Sequence, residues 1–196
     1  MQEELRTTLF TRPEEAVLLL VEHPRTFTLG RGEKGQNLLA DSGWLQSQGF
    51  DVVETNRGGK ITYHGPGQLV AYPVVDLRTL KMGIKDFVHA LEQTMIQTLA
   101  HYRISARSKE GWIGTWVEDK KIGSIGIHVR KHVSIHGLAL NVSTNLEDFM
   151  HITPCGIPDV TMTSLNDLGA NVSFDDVVPV FVSVFGRLFG QNMELA

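Results

Sequence analysis

The chain has 196 residues, 42% of them hydrophobic and 20% charged, a balance that excludes disorder and suits one domain with a sizeable core. Its 22 acidic and 18 basic residues leave a formal charge of −4, which argues against a generic nucleic-acid binder, because that task needs a net or clustered positive field. The apolar run from Ala16 to Val21 is too short to span a bilayer or serve as a secretory signal. With a single cysteine, the expected setting is reducing and cytoplasmic, with no membrane partner.

In chain order, Ala16 to Val21 reads as a buried strand, and Thr26 to Leu29 as an extended piece ending at Gly30-Arg31-Gly32. Asp41 or Ser42 caps a short helix through Trp44 and Leu45, which stops at Gly49 before a strand over 50–54. Next comes a strand, a glycine loop at Gly65-Pro66-Gly67, and a β-rich run from Leu69 to Leu77. Ile84, Phe87, Val88, Leu91, Met95 and Leu99 recur at helical spacing, giving a core-packing helix with Lys85, Glu92 and Gln93 on its wet face. Gly114 to Val117, Lys121 to Val129 and Val133 to Val142 read as antiparallel strands with a turn near Arg130-Lys131-His132. Apolar residues are odd-numbered from Ile125 to Ile135 and even-numbered from Leu138 to Val142, so a β-bulge is expected at Gly137. A last helix starts near Asp175 or Asp176, holds Pro179 in its first turn, and carries Val180, Phe181, Val184, Phe185, Leu188 and Phe189 on one stripe. Together these elements predict one α+β domain over 1–196, a mixed and mostly antiparallel sheet flanked by helices.

Three features carry chemistry. Cys155 lies in the rigid turn Thr153-Pro154-Cys155-Gly156-Ile157-Pro158; alone, it can form neither an internal disulfide nor a multi-cysteine metal site, leaving a small buried hydrophobe or a nucleophile. Lys121 opens a strand whose small residues Gly123, Ser124 and Gly126 cannot fill a core, so a ligand or another backbone must come close. An ammonium directed at Cys155 would favour the thiolate. Full ionisation, however, raises the reactive fraction by at most ~30-fold, so donors for an oxyanion and substrate placement must do the rest. Arg57, Lys60, Tyr63, His64 and Gln68 crowd polar groups into one glycine-punctuated segment that fits neither a P-loop nor a dinucleotide fingerprint. His128, His132 and His136 would stack on a helix, but a turn between strands breaks the stripe, so no metal is expected.

Arg57-Gly58-Gly59-Lys60-Ile61-Thr62-Tyr63-His64-Gly65-Pro66-Gly67-Gln68, Lys121-Ile122-Gly123-Ser124-Ile125-Gly126, His136-Gly137-Leu138-Ala139-Leu140-Asn141-Val142 and Thr153-Pro154-Cys155-Gly156, in this order, closely resemble the lipoyl(octanoyl) transferase family. The resemblance runs from about Glu22 to about Met162; family members generally have a further strand and the first part of a helix before the segment like Gln2 to Arg6. It implies a fold shared with biotin and lipoate ligases. It makes Cys155 the acyl-thioester nucleophile and Lys121 the group that lowers the thiol pKa and relays protons. It assigns substrate binding to Arg57, Gly58, Gly59, Lys60, Ile61, Thr62, Tyr63 and His64, to Ser124, Ile125 and Gly126, and to Gly137, Leu138 and Ala139. The implied donor is octanoyl-acyl carrier protein, and the implied acceptors are lipoyl domains of 2-oxoacid dehydrogenases and the glycine cleavage H protein, with no cofactor. Acidic partners would meet a basic rim of Arg25, Arg31, Lys34, Arg130 and Lys131. An ATP-dependent lipoate ligase, which needs no cysteine, and a non-catalytic acyl or lipoyl-domain binding module are the alternatives.

Overall fold

Two sheets divide the strands between them in the computed structural model, which describes residues 1–191. The larger comprises β1 (Val17–Val21), β5 (Gln68–Val74), β6 (Arg107–Lys109), β7 (Trp112–Val117), β8 (Lys120–Arg130) and β9 (Val133–Asn141). It runs in the order β1-β5-β9-β8-β7-β6, with every neighbouring pair antiparallel. The smaller is β3-β2-β4, built from β2 (Thr26–Leu29), β3 (Asp51–Glu54) and β4 (Ile61–His64), in which β2 is parallel to β3 and antiparallel to β4. The expected mixed, mostly antiparallel α+β architecture is therefore present. β1 is a half-buried edge strand rather than a buried one, since it pairs with β5 alone.

The helices are α1 (Gln2–Leu9), α2 (Ser42–Ser47), α3 (Ile84–His101) and α4 (Phe174–Phe189). Asp41 caps α2 by accepting from the Trp44 N–H, and Ser173 with Asp176 forms a capping box on α4. That cap starts α4 at Phe174, so Pro179 lies beyond the first turn, where it leaves the carbonyl four residues earlier without its helical donor. Phe87, Leu91, Met95 and Leu99 of α3 join Phe181, Phe185 and Phe189 of α4 in the main core against Leu69, Ala71, Leu138 and Leu140 of the large sheet. Leu9 of α1 packs on Val74, Val133 and Ile135.

The apolar parity has a different cause from a bulge at Gly137. The hairpin turns on Lys131 and His132, both at positive φ, and its register pairs Arg130 with Val133 and Gly126 with Gly137 without interruption. A two-residue turn pairs odd residues of β8 with even residues of β9, so Ile125 and Leu138 share the helix-covered face with no flip. Val133 and Ile135 are apolar because α1 covers the opposite face. The register shift instead lies between β7 and β8, where Thr115 opposes Gly123 but Trp116 opposes Lys121. That extra residue in β8 changes the alternation just before Ser124, so Lys121 and Ser124 both reach Cys155.

Candidate active site

A cavity of about 770 Å³ lies between the two sheets, with Thr26, Thr28, Thr62 and His64 on one wall and Val70, Tyr72, Ser124 and Ala139 on the other. Strand alternation decides which predicted residues reach it. In β4, Thr62 and His64 line the cavity, whereas Ile61 and Tyr63 pack into the cluster of Phe27, Leu45 and Phe50 on the other side. Ile61 and Tyr63 are thus corrected from substrate contacts to core residues. Arg57, Gly58, Gly59, Lys60, Ser124, Ile125, Gly126, Gly137, Leu138, Ala139, Lys121 and Cys155 all border the cavity.

The large-sheet wall is made of small cross-strand pairs, Ser124 opposite Ala139 and Gly126 opposite Gly137. A Cβ on Gly126 would stand 2.9 Å from the Gly58 carbonyl and 3.1 Å from Arg57 Cδ. The loop over 57–59 can approach β8 this closely only because that Cβ is missing, and the Gly58 N–H donates to the Ile127 carbonyl at 2.9 Å. Arg57, buried, turns its guanidinium back onto the Thr28 carbonyl and hydroxyl and the Gly58 carbonyl. Burial lowers its pKa from the ordinary guanidinium value.

Cys155 sits in a short 3₁₀ turn between two loops, at φ 57° and ψ 12°, a left-handed conformation rare for a residue with a side chain. Gly156 N–H donates to Thr153 O and Ile157 N–H to Pro154 O, closing the turn around it. The Lys121 ammonium is 3.5 Å from the Cys155 sulfur and donates to the Ile113 carbonyl at 2.8 Å; Ser124 Oγ is 3.8 Å from the same sulfur. The lysine is only 1% exposed, and Trp116 presents its ring 5.2 Å from Nζ. Its backbone is held by the segment over 161–163, through Lys121 N–H to Thr161 O and Thr163 N–H to Lys121 O. An ammonium buried this deeply requires a compensating charge or several acceptors.

A hydrogen-bond chain fixes His64. Asn141 donates through Nδ2 to the Thr163 carbonyl and accepts through Oδ1 from Gln68 Nε2, so Gln68 Oε1 is left to accept from His64 Nδ1 at 2.7 Å. Nδ1 therefore carries the proton and Nε2 keeps its lone pair. Burial, reinforced by the Arg57 charge, pushes the His64 pKa down to about 3. Burial likewise brings His136 to about 4 and lowers His23, whose Nε2 meets the Tyr72 hydroxyl at 2.7 Å. The cavity thus holds neutral imidazoles at pH 7.

Several cavity residues were invisible in the sequence. Gln2 of α1 accepts from the His136 N–H at the cavity edge, while Ile84, Val88, Trp112 and Ile113 line another part of it, so α3 does more than pack the core. Arg25 leaves the expected basic rim: it pairs with buried Asp148, which also accepts from the Tyr63 hydroxyl at 2.6 Å. His132 sits on the hairpin tip, and among the described residues no three His, Cys, Asp or Glu side chains are grouped to hold a metal ion. No helix of the described residues is long and apolar enough to cross a membrane.

The family model for the lipoyl protein ligase A/B catalytic domain matches residues 1–186. An octanoyltransferase of Solibacter usitatus is 47% identical over 176 residues, covering 90% of this chain and 80% of the relative. One of Caldicellulosiruptor saccharolyticus is 45% identical over 197 residues, covering 99% and 84%. Among solved structures, a lipoate-protein ligase A bound with ATP superposes with a TM-score of 0.81 at 17% identity, covering 100% of this chain and 83% of that one, a likeness of fold.

Proposed function

Since the chain belongs to the lipoyl protein ligase A/B catalytic family and is an octanoyltransferase of lipoate biosynthesis, we propose that Cys155 carries the octanoyl group between donor and acceptor as a thioester. The observation that supports this most is the buried Lys121 ammonium 3.5 Å from the Cys155 sulfur at the cavity wall. A thiolate is the charge that balances such a lysine, and an ammonium is the donor that such a thiolate needs.

In this mechanism the thiolate attacks the carbonyl carbon of octanoyl-acyl carrier protein. The tetrahedral intermediate collapses, the carrier sulfur leaves, and it takes a proton from the Lys121 ammonium. The lysine amine of a lipoyl domain then attacks the acyl-enzyme carbonyl. Cys155 thiolate departs, and the proton shed by the new amide nitrogen returns to Lys121. Both steps close without a nucleotide, because thioester exchange is nearly isoenergetic and amide formation runs downhill. The octanoyl tail occupies the space over Ser124, Gly126 and Ala139, with Val70 and Tyr72 beside it. Full burial of the tail, at ~0.8 kcal/mol per CH₂, contributes about 5 kcal/mol.

The catalytic unit is a single domain over 1–196, a reading supported by the family match to residues 1–186, and the acceptors are lipoyl domains of 2-oxoacid dehydrogenases and the glycine cleavage H protein, in the cytoplasm. The test is an ATP-free assay with octanoyl-acyl carrier protein and an isolated lipoyl domain. Octanoylated lipoyl domain should form with the wild type and not with Cys155→Ala. Product that appears only when ATP is added would replace this mechanism with a ligase mechanism.

A further inference from the structure

Glu92 is a charged residue on the flank of α3, but it is buried, with its side chain 11% exposed, and both carboxylate oxygens are engaged. Oε1 accepts from the Gly114 N–H at 2.9 Å and Oε2 from the Ser108 hydroxyl at 2.8 Å. Burying a carboxylate this far costs several kcal/mol unless its partners are well placed, so its position calls for an explanation.

The explanation lies on the other side of one peptide plane. The Gly114 N–H and the Ile113 C=O belong to the same trans peptide unit and point in opposite directions. Glu92 holds the N–H end, and the C=O end accepts from Lys121 Nζ at 2.8 Å. Among the described residues, the polar atoms that Lys121 Nζ contacts are this carbonyl and the Cys155 sulfur. The orientation of one peptide plane therefore sets where the ammonium sits relative to the thiol. That plane precedes Gly114, at φ 127°, where a Cβ would stand 2.8 Å from Lys121 Cε and 2.5 Å from the Gly123 carbonyl. A backbone able to adopt so permissive a conformation needs an external anchor to keep one orientation.

We propose that Glu92 is a positioning residue for acyl transfer: by anchoring the Ile113–Gly114 peptide, it aims the Ile113 carbonyl and so holds Lys121 against Cys155. This rests on Lys121 and Cys155 acting together as described above. The carboxylate acts as a hydrogen-bond acceptor of fixed reach. Its negative charge also polarises the peptide in the direction that strengthens the carbonyl as an acceptor, but the positioning requires only the acceptor.

The experiment compares Glu92→Leu, Glu92→Gln and Lys121→Met in the full chain. Three quantities are read: the rate of Cys155 alkylation by iodoacetamide at pH 7, kcat and KM for octanoyl transfer, and the thermal melt. Glu92→Leu should slow alkylation and kcat by about ten-fold, with KM for the octanoyl donor within two-fold and a cooperative melt. Glu92→Gln keeps an oxygen for the Gly114 N–H and should stay within about two-fold of the wild type. Should Glu92→Leu not fold, Glu92→Asp, one methylene short of that N–H, takes its place with the same expectation. Alkylation and kcat at wild-type values in the Leu or Asp variant would overturn the proposal, as would a Gln variant as slow as Leu. Lys121→Met separates the two levels: if it alkylates like the wild type, the Lys121–Cys155 pairing itself fails, whatever Glu92 does.

Discussion

His64 makes the stability of this protein depend on pH in a way that a single substitution isolates. The folded ring has a pKa of about 3 and the unfolded ring the ordinary value of 6.5, so between these limits the unfolded chain binds more protons. Stability therefore rises with pH across this window: the contribution is full above 6.5 and is lost as pH falls toward 3. At pH 4.5 the native ring is still neutral while the unfolded ring is almost fully protonated, and linkage gives a loss of roughly 2–3 kcal/mol relative to pH 7. His64→Asn places an amide N–H where Nδ1 donates to Gln68 and cannot titrate. Urea unfolding of both proteins at pH 7 and pH 4.5 measures the difference. The wild type should lose roughly 2–3 kcal/mol more than the variant between the two pH values, on the order of 1 M in midpoint. His136 and His23 shift in the same direction in both proteins and cancel in the comparison. An equal loss in the two proteins would refute a neutral, buried His64.

Asp148→Asn should lower stability by about 1–3 kcal/mol in a urea titration, because it weakens both the pair with the partly exposed Arg25 and the Tyr63 hydrogen bond on one buried carboxylate. Replacing the octanoyl donor with a hexanoyl donor removes two buried CH₂ groups, ~1.6 kcal/mol, and should cut kcat/KM by about 15-fold; equal rates would mean that the tail is not held in the cavity. Gly126→Ala should raise KM for the octanoyl donor at least several-fold with the fold retained, since its Cβ meets the Gly58 carbonyl and Arg57 at the cavity wall. An unchanged KM would place the substrate elsewhere.

Much of this site was legible because its signals are local. The cap at Asp41, the helical spacing of Phe87, Leu91, Met95 and Leu99, and the small residues of β8 each lie within a few positions of what they determine. The alternation of β4 was also available in the sequence, and would have separated Thr62 and His64 from Ile61 and Tyr63. The rest depends on contacts across the chain. Glu92 reads as solvent-facing because its partner, the Gly114 N–H, is 22 residues away. Arg25 reads as a free surface cation because Asp148 lies 123 residues further on. The pairing of Gly126 with Gly137 follows from a two-residue turn at Lys131-His132, whose exact length composition did not reveal. The bulge that aligns Lys121 with Ser124 has no sequence mark beyond the glycine after Ile122.

A covalent octanoyl group on Cys155 is visible by intact-mass spectrometry. Incubated with octanoyl-acyl carrier protein and no ATP, the protein should gain one octanoyl group that neutral hydroxylamine removes and that Cys155→Ala does not acquire. A protein that transfers octanoyl groups at full rate under these conditions while never acquiring that mass, or a Cys155→Ala variant that transfers as fast as the wild type, would contradict the covalent intermediate.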